Sequence, residues 1–247
     1  MSISTQYDKN LSAQYSSDER FEHPIGQMNY ETWLRELGDI RGLNVLDLAC
    51  GSGHSSRLLA ECGAIVTGVD ISPDMIALAK SEEERKPLGI KYVLGDAKTL
   101  DLKREFDIVT PSYLLHYAET REELHSFCRT VSRHLVSGGR MVALHANSNP
   151  IVPVMQNGQH TTKWLGDPFQ EGSHILLSLY NLRGEEVCII TFVYWSMWTY
   201  YEALKSAGLL NAKWVKIQMS DEAKLMLSNW KELDEYNTSA ILTATKV

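Results

Sequence analysis

Residues 45–53 read Val-Leu-Asp-Leu-Ala-Cys-Gly-Ser-Gly, and residues 57–60 that follow read Arg-Leu-Leu-Ala. The first part is typical of an apolar β-strand and the second of a helix. In α/β sheets, a glycine-rich turn between a strand and the following helix presents backbone N–H groups to a ligand. The stretch therefore predicts an α/β fold with a ligand site at the turn, although a tight turn that binds nothing has the same pattern.

The residues around the two glycines favour one kind of ligand over another. A dinucleotide-binding turn needs a third glycine three positions after the second, and that position is Ser56. Asp47 stands just before the turn, where its charge would repel a pyrophosphate. A ligand that carries an ammonium and a sulfonium group would be attracted instead. S-adenosylmethionine (SAM) is such a ligand, and we therefore prefer it to NAD.

Two further acidic residues follow the next two predicted strands. Asp70 ends an apolar run and lies nineteen positions after Gly51, where a carboxylate can accept hydrogen bonds from ribose hydroxyls. Asp96 follows the run 90–94. The carboxyl ends of parallel strands meet at one edge of a sheet, which is where open α/β sheets bind ligands. Asp47, Asp70 and Asp96 together predict a SAM site at this edge.

The order of elements predicts a Rossmann-like, doubly wound, mostly parallel sheet with an antiparallel C-terminal strand and an inserted β-hairpin or lid region. We expect one domain over residues 1–247, with a helical lid at 1–40 and a substrate-facing insertion at 145–200. Strands are predicted at 45–48, 64–69, 90–94, 106–110, 140–144, 175–180, 187–194, 212–219 and 239–246. Helices are predicted at 25–37, 73–84 after a Ser72 cap, 121–135, 198–207 and 221–230. A turn is predicted at 137–139, and an irregular segment leads to residue 172.

Composition excludes several classes of protein. A net charge of −7 and a pI near 5.6, without a basic run, argue against a nucleic-acid partner. The longest apolar stretch, 187–201, is too short and polar to span a bilayer, and the N-terminus lacks a signal core, so we expect a cytoplasmic protein without a membrane partner. The 4 cysteines have no CxxC spacing, which predicts reduced thiols and no metal site. A monomer or a homodimer fits this composition.

The acidic residue followed by Cys-Gly-x-Gly resembles motif I of the class I SAM-dependent methyltransferases of the small-molecule type, with Ala49 in place of the family's first glycine. The resemblance covers about residues 7–149. It implies that Asp96 accepts from the adenine amino group, that the Ala97 N–H meets the ring, and that an N-terminal segment closes over the cofactor. The predicted cofactor-binding residues are Tyr7, Asp47, Ala49, Gly51, Gly53, Asp70, Ile71, Met75, Asp96 and Ala97.

A narrower resemblance rests on two phrases, Lys-Pro-Leu-Gly-Ile-Lys-Tyr at 86–92 and Tyr-Leu-Leu-His-Tyr-Ala-Glu-Thr-Arg-Glu-Glu-Leu at 113–124. Both look like the toxoflavin-synthase-like methyltransferases, which methylate ring nitrogens of an azapteridine. This resemblance implies a planar, heterocyclic nitrogen acceptor in natural-product biosynthesis, with S-adenosylhomocysteine as the second product. From His145 onward no motif supports this choice of acceptor.

Candidate catalytic residues follow the fourth and fifth strands. His145 is the first choice as a base or acceptor hydrogen-bond partner, because a histidine near its ordinary pKa suits that task; a buried His145 that bonds a carbonyl is the alternative. Tyr113 and His116 are the other candidates, and a packing role for His116 is also open. The predicted substrate-binding residues are Tyr15, Asn147, His160, Tyr194, Trp195 and Trp198, of which the aromatic ones can equally be core.

Three functions stay open at this point. The leading one is transfer of a methyl group from SAM to a small planar nitrogen heterocycle. Transfer to carbon or to a phenolic oxygen of a small aromatic metabolite is the second. A SAM-binding module without catalytic activity is the third, and it comes from a different class.

Overall fold

The fold is described from a computed structural model that covers residues 24–148, 160–181, 183–219, 221–226 and 238–247. The helices are α1 (Pro24–Leu37), α2 (His54–Glu61), α3 (Pro73–Arg85), α4 (Arg121–Arg133), α5 (Met197–Ser206) and α6 (Asp221–Met226), with a 3₁₀ turn at Leu115–Tyr117. The strands are β1 (Asn44–Leu48), β2 (Ile65–Asp70), β3 (Lys91–Leu94), β4 (Phe106–Thr110), β5 (Leu135–Ala146), β6 (His160–Trp164), β7 (His174–Tyr180), β8 (Glu186–Val193), β9 (Leu209–Lys216) and β10 (Ser239–Lys246).

Seven strands form the main sheet, in the order β3-β2-β1-β4-β5-β10-β9. Strands β1 to β5 pair in parallel, and β10 is antiparallel to both β5 and β9. The chain reverses its direction across the sheet between β1 and β4, the kind of position at which such sheets bind ligands. The predicted fold class, a mostly parallel doubly wound sheet with an antiparallel C-terminal strand, is confirmed.

Helices cover both faces of the main sheet, which explains the apolar strands. In β1, Val45 and Leu46 are both fully buried but point to opposite faces. Side chains of α1, α2 and α3 pack with Val45, and those of α4 and α5 pack with Leu46. A strand buried on both faces reads as a continuous apolar run, as this one does.

The helix starts follow ordinary capping chemistry. Ser72 accepts a hydrogen bond from the Met75 N–H at 3.3 Å, with Pro73 in the first turn, as the sequence predicts. Thr120 and Ser196 cap α4 and α5 in the same way. These caps place the start of each helix at a defined point beyond the strand that precedes it.

Helix α1 is the described part of the predicted N-terminal lid. It packs against the main sheet, where the Trp33 indole N–H donates to the Val142 carbonyl at 3.0 Å. Trp33 is fully buried. Tyr7, predicted to bind the cofactor, and Tyr15, predicted to bind the substrate, lie outside the described residues. The described helix is therefore anchored in the core.

Two strands, β5 and β9, begin three or more residues earlier than the sequence predicts. The turn predicted at 137–139 is a bulge within β5, where the pairing with β4 changes register between Phe106 and Ile108. Gly138 has a φ of +77°, which suits a glycine at a bulge. The strand predicted at 212–219 begins earlier, at Leu209, because β10 pairs with β9 from that residue.

The insertion after β5 contains a three-stranded antiparallel sheet, β6-β7-β8, called here the small sheet. The predicted hairpin forms β7 and β8, and β6 adds a third strand within the segment that the sequence predicts to be irregular. Thr162 of β6 pairs with Leu177 of β7. The sequence of β6, His-Thr-Thr-Lys-Trp, has little apolar alternation. Its pairing with β7, rather than a local sequence pattern, therefore makes this segment a strand.

Candidate functional site

A cavity of about 390 Å³ lies at the carboxyl edge of β1 to β4, between the main sheet and the small sheet. Its size is within the range of small-molecule sites. The walls come from α1, the loops after β1 to β4, the small sheet and the start of β10. Among the described residues, the wall includes Asn29, Ala49, Gly51, Asp70, Ile71, Met75, Asp96, Ala97, Tyr113, His116, Glu119, Leu177, Leu179, Ile190, Phe192 and Ser239.

The glycine turn holds a left-handed backbone at three of its positions. Ala49, Gly51 and Gly53 have φ values of +70°, +55° and +93°. The backbone N–H groups of Ala49 and Cys50 both donate to the Val69 carbonyl, at 2.8 and 2.9 Å. A Cβ atom at Gly53 would lie 2.4 Å from the Tyr92 hydroxyl oxygen, so only glycine fits there. The turn is thus fixed against β2 and β3.

Asp47 lies beneath the turn rather than in the cavity wall. Its carboxylate is fully buried and accepts hydrogen bonds from the Ser55, Ser56 and Thr110 hydroxyls at 2.7, 2.6 and 3.2 Å. Burial raises its pKa, against the effect of the three hydroxyls. The predicted direct attraction between Asp47 and a cationic ligand does not match this placement, because α2 turns its first two serines onto the carboxylate. Ser56, the position that rules out a dinucleotide turn, is one of its partners.

Asp70 and Asp96 do line the cavity, as the sequence predicts. Asp70 accepts from the Gly51 N–H at 2.8 Å and from the Ser72 N–H at 2.9 Å, and burial raises its pKa. Asp96 accepts from the Lys98 N–H at 2.8 Å. A carboxylate has about four lone-pair sites, so both retain acceptor capacity for a ligand. Ile71, Met75 and Ala97 lie beside them in the wall.

The opposite end of the cavity is formed by Tyr113 and residues from distant segments. Tyr113 has a φ of +51°, a sparsely populated conformation for a non-glycine residue. Its hydroxyl lies 3.4 Å from Asn29 Nδ2 and 3.2 Å from the Ser239 hydroxyl. Asn29 Oδ1 is buried and has no hydrogen-bond partner among the described residues. Asn29 and Ser239 were missed by the sequence analysis, because only the tertiary fold brings α1 and β10 to Tyr113.

The two candidate histidines have different positions. His116 lines the cavity, although its side chain is nearly buried. His145 is fully buried behind it, and the cavity wall within the described residues includes Ala146 instead. Its Nδ1 lies 2.7 Å from the Ala146 carbonyl oxygen. His145, the first choice as base, therefore has the buried, carbonyl-bonded arrangement that the alternative described.

Burial lowers the pKa of both imidazoles. For His145 the pKa is lowered to about 4. For His116 it is lowered well below the usual value, by burial and by the neighbouring His145. Both rings are therefore neutral at pH 7. A neutral imidazole that faces a cavity can accept a hydrogen bond or a proton.

The predicted substrate-binding residues after β5 lie outside the cavity wall of the described structure. Asn147 donates its backbone N–H to the Thr238 carbonyl at 2.7 Å, and Tyr194 packs on Trp164. Trp195 is buried, and Trp198 is 68% exposed. Tyr194, Trp195 and Trp198 lie there because they follow the end of β8 and lead into the start of α5. For His160, the strand is described but the side chain is outside the described residues.

The small sheet supplies the wall that the sequence analysis missed. Leu177 and Leu179 alternate on β7, Ile190 and Phe192 alternate on β8, and all four line the cavity. Their spacing of two residues was a usable signal for one inward face of a hairpin. Two contacts hold the small sheet in place: the Trp195 indole N–H donates to the Ala118 carbonyl at 2.9 Å, and His174 Nε2 lies 2.8 Å from the Glu119 carboxylate.

Within the described ranges, no group of three or more His, Cys, Asp or Glu side chains is arranged to hold a metal ion. The same part of the chain contains no helix with the length and apolar character needed to cross a membrane.

We expect Ala49→Gly to raise the free energy of unfolding by about 0.5–1 kcal/mol. The left-handed conformation costs a non-glycine residue about 1–2 kcal/mol, and the greater freedom of glycine in the unfolded chain offsets part of the gain. Urea unfolding measures the change. Ala77→Gly, at an exposed position in the interior of α3, is the matched control and is expected to lower stability by about 1 kcal/mol. Destabilisation by both variants would show that Ala49 is unstrained.

Acid should destabilise the protein partly through His145. Its pKa is about 4 in the folded protein, against an ordinary value of 6.5, so the unfolded chain binds more protons between these values and stability falls as the pH drops. We expect His145→Phe to reduce the loss of unfolding free energy between pH 7.5 and 5 by about 2 kcal/mol. Urea unfolding at both pH values measures this.

Val45→Ala is the control for that experiment, because it opens the core without removing a titrating group. It should lower the unfolding free energy equally at both pH values. An unchanged pH dependence in His145→Phe would contradict the buried, neutral state of His145.

Comparison with known proteins adds to this geometry. Residues 45–139 match the family model described as "Methyltransferase domain". The chain is 37% identical over 119 residues to a ubiquinone biosynthesis O-methyltransferase of Coxiella burnetii, which covers 47% of this chain and 49% of the relative. It is 38% identical over 109 residues to a cypemycin N-terminal methyltransferase of a Streptomyces species, covering 43% of each. The chain thus spans about half the length of these curated relatives.

The fold has relatives among solved structures. The structure of an S-adenosylmethionine-dependent methyltransferase from Mesorhizobium loti superposes with a TM-score of 0.66 at 22% identity, over 90% of this chain and 100% of that one. The predicted fold is confirmed: the chain has the fold of the class I SAM-dependent methyltransferases, and residues 45–139 are similar to a methyltransferase domain.

Proposed function

We propose that the protein transfers the methyl group of SAM to a small, planar, heterocyclic nitrogen acceptor in natural-product biosynthesis. One observation carries this proposal. A single cavity is lined at one end by the glycine turn with Asp70 and Asp96, and at the other by Tyr113 and His116. A cofactor at the first end would direct its methyl group towards an acceptor at the second.

The cofactor end has the residue types that SAM requires. Asp70, already fixed by the Gly51 and Ser72 N–H groups, would accept from the ribose hydroxyls. Asp96 would accept from the adenine amino group, beside the Ala97 N–H. Ile71 and Met75 would contact the adenine ring. Asp47 would act from beneath, through the hydroxyls of α2 that it orients.

The acceptor end is mainly apolar and aromatic. The aliphatic side chains of Leu177, Leu179 and Ile190 and the ring of Phe192 come from the small sheet and line the same cavity as Tyr113. The Phe192 ring lies 5.0 Å from the His116 ring, centroid to centroid. Apolar walls with few polar groups bind flat organic ligands and orient them through those groups. The polar groups here are Asn29, Ser239 and His116. The small sheet is therefore our proposed acceptor-binding element, as the expected insertion at 145–200 suggests.

SAM, when bound, supplies the electrophilic methyl group and the leaving group. The chain's own residues bring the acceptor atom into line with that methyl group, which can account for about 7–11 kcal/mol of the barrier. The small sheet also keeps water away from the reacting atoms. A ring nitrogen with a free lone pair needs no base. His116, which is neutral at pH 7, would hold the acceptor by a hydrogen bond.

Transfer to a phenolic oxygen is the second candidate, and one observation favours it. A neutral imidazole of His116 faces the cavity, where it can take the proton of a hydroxyl. An oxygen acceptor also occurs in the name of a relative, the ubiquinone biosynthesis O-methyltransferase. A SAM-binding module without activity would bind the cofactor and methylate nothing.

We expect calorimetry to detect binding of S-adenosylhomocysteine, and Asp96→Ala to weaken it about 10- to 100-fold. The loss of a hydrogen bond to a charged group, about 1.5–3 kcal/mol, is the reason. Asp101→Ala is the matched control, since Asp101 also accepts from the N–H two residues on, at Lys103, but is not in the cavity wall as described. The proposal is contradicted if the unaltered protein does not bind S-adenosylhomocysteine, or if Asp96→Ala and Asp101→Ala weaken its binding equally.

His116→Phe should separate the two acceptors. Turnover is measured with SAM carrying a tritiated methyl group, on a panel of planar nitrogen heterocycles and a panel of phenols. For a ring nitrogen we expect a loss of about tenfold, from the missing hydrogen bond, and a rate that is flat from pH 7 to 9 because the pKa of His116 lies well below this range.

A loss of about 10²- to 10⁴-fold on phenols would assign His116 as a base for oxygen transfer instead. Binding of S-adenosylhomocysteine to His116→Phe serves as the control for folding. Turnover on neither panel would favour the inactive module.

A further inference from the structure

Two imidazoles lie one behind the other at the acceptor end of the cavity. His116 is in the wall, and His145 lies behind it with a ring-centroid distance of 5.1 Å and an interplanar angle of 86°. Beyond His145 are the rings of Tyr200 and Trp214, at 4.8 and 5.4 Å. His145 is fully buried and is not in the cavity wall within the described residues, whereas the neighbouring His116 is.

The hydrogen position on His145 follows from its surroundings. Its Nδ1 lies 2.7 Å from the Ala146 carbonyl oxygen, which only accepts, so Nδ1 must carry the proton. The ring is neutral at pH 7, because burial lowers its pKa to about 4. Its Nε2 therefore carries a lone pair. This atom is buried and has no hydrogen-bond partner among the described residues.

His116 has a complementary atom. Its Nδ1 is also buried and has no partner within the described part of the chain. If this Nδ1 carried a lone pair, two unsatisfied lone pairs would lie in neighbouring rings. If it carries the proton, it is a donor in the ring next to the His145 acceptor, at a ring-centroid distance of 5.1 Å. Buried polar groups are nearly always satisfied, which favours the second arrangement.

We propose that His145 is a positioning residue that holds His116 in the tautomer protonated at Nδ1, so that the His116 Nε2 lone pair faces the cavity. The catalytic use of that lone pair rests on the proposed function; the tautomer itself does not. In this arrangement His116 accepts a hydrogen bond and does not donate one. The acceptor molecule would then carry an N–H or O–H group that meets His116, next to the atom that is methylated.

Trp214 is the competing donor for the same lone pair. Its indole N–H is buried and has no partner in the described structure. Trp214 belongs to the edge strand β9 and is only half-buried, whereas the side chain of His116 is nearly buried. His116 is also the nearer ring to His145. The lone pair of His145 is therefore assigned to His116.

The test is a two-bond ¹H–¹⁵N correlation spectrum of the whole protein with ¹⁵N-labelled histidine at pH 7.5, which reports the tautomer of each imidazole. His116→Phe identifies the His116 signals by their loss. We expect the unaltered protein to show His116 protonated at Nδ1 and unprotonated at Nε2. Protonation of His116 at Nε2 would overturn the proposal, whether or not His145→Phe folds.

Two variants then ask which residue sets the tautomer. His145→Phe keeps an aromatic ring but removes the lone pair, and we expect His116 to become a mixture or to move its proton to Nε2. Trp214→Phe removes the competing N–H, and the tautomer should stay as it was. A His116 tautomer that is unchanged in folded His145→Phe, or that changes only in Trp214→Phe, would contradict the assignment. None of these spectra depends on an acceptor or on turnover, so the proposed function can fail while the tautomer is confirmed.

Discussion

The buried carboxylate of Asp47 is the contact on which the cofactor end of the cavity depends. A carboxylate inside a protein is costly unless hydrogen bonds replace its water, and Asp47 has three hydroxyl donors from α2 and β4. Two of them, Ser55 and Ser56, lie in the first turn of α2, whose N-terminal dipole also favours a negative charge. The one side chain thus joins β1, α2 and β4 around the turn. The direction in which α2 leaves the glycine turn is set by this contact.

The rest of the cavity is formed by side chains that come from distant parts of the chain. Asp70, at the end of β2, also fixes the glycine turn. It accepts hydrogen bonds from the Gly51 N–H in the turn and from the Ser72 N–H at the start of α3. At the other end, Tyr113 meets Asn29 and Ser239, which come from opposite ends of the chain. The small sheet covers the space between, held by the Trp195 and His174 contacts to residues 118–119. The chemistry proposed for the cavity requires these parts to meet.

The sequence predicted most of the Rossmann-like part. Strand β4 and strand β10 have the predicted bounds, Ser72 caps α3, and Asp70 and Asp96 lie together at the carboxyl edge. Each of these features is set by residues close in sequence: apolar runs, a capping serine, glycines at turns. The bulge at 137–139 and strand β6 were not predicted, because pairing with a distant strand decides both.

The sequence by itself determined the class of fold and the edge of the sheet at which the cavity lies, because periodicity, glycine turns and strand-end carboxylates are local properties. Tertiary structure alone decided what each polar group does. Asp47 and His145 carry groups that would suit a site surface, yet neighbouring elements cover both, and their partners are a cluster of hydroxyls and a carbonyl. His116, Asn29 and Phe192 face the cavity because α1 and the small sheet pack where they do. Burial depends on which distant segments meet, and that is a property of the folded chain.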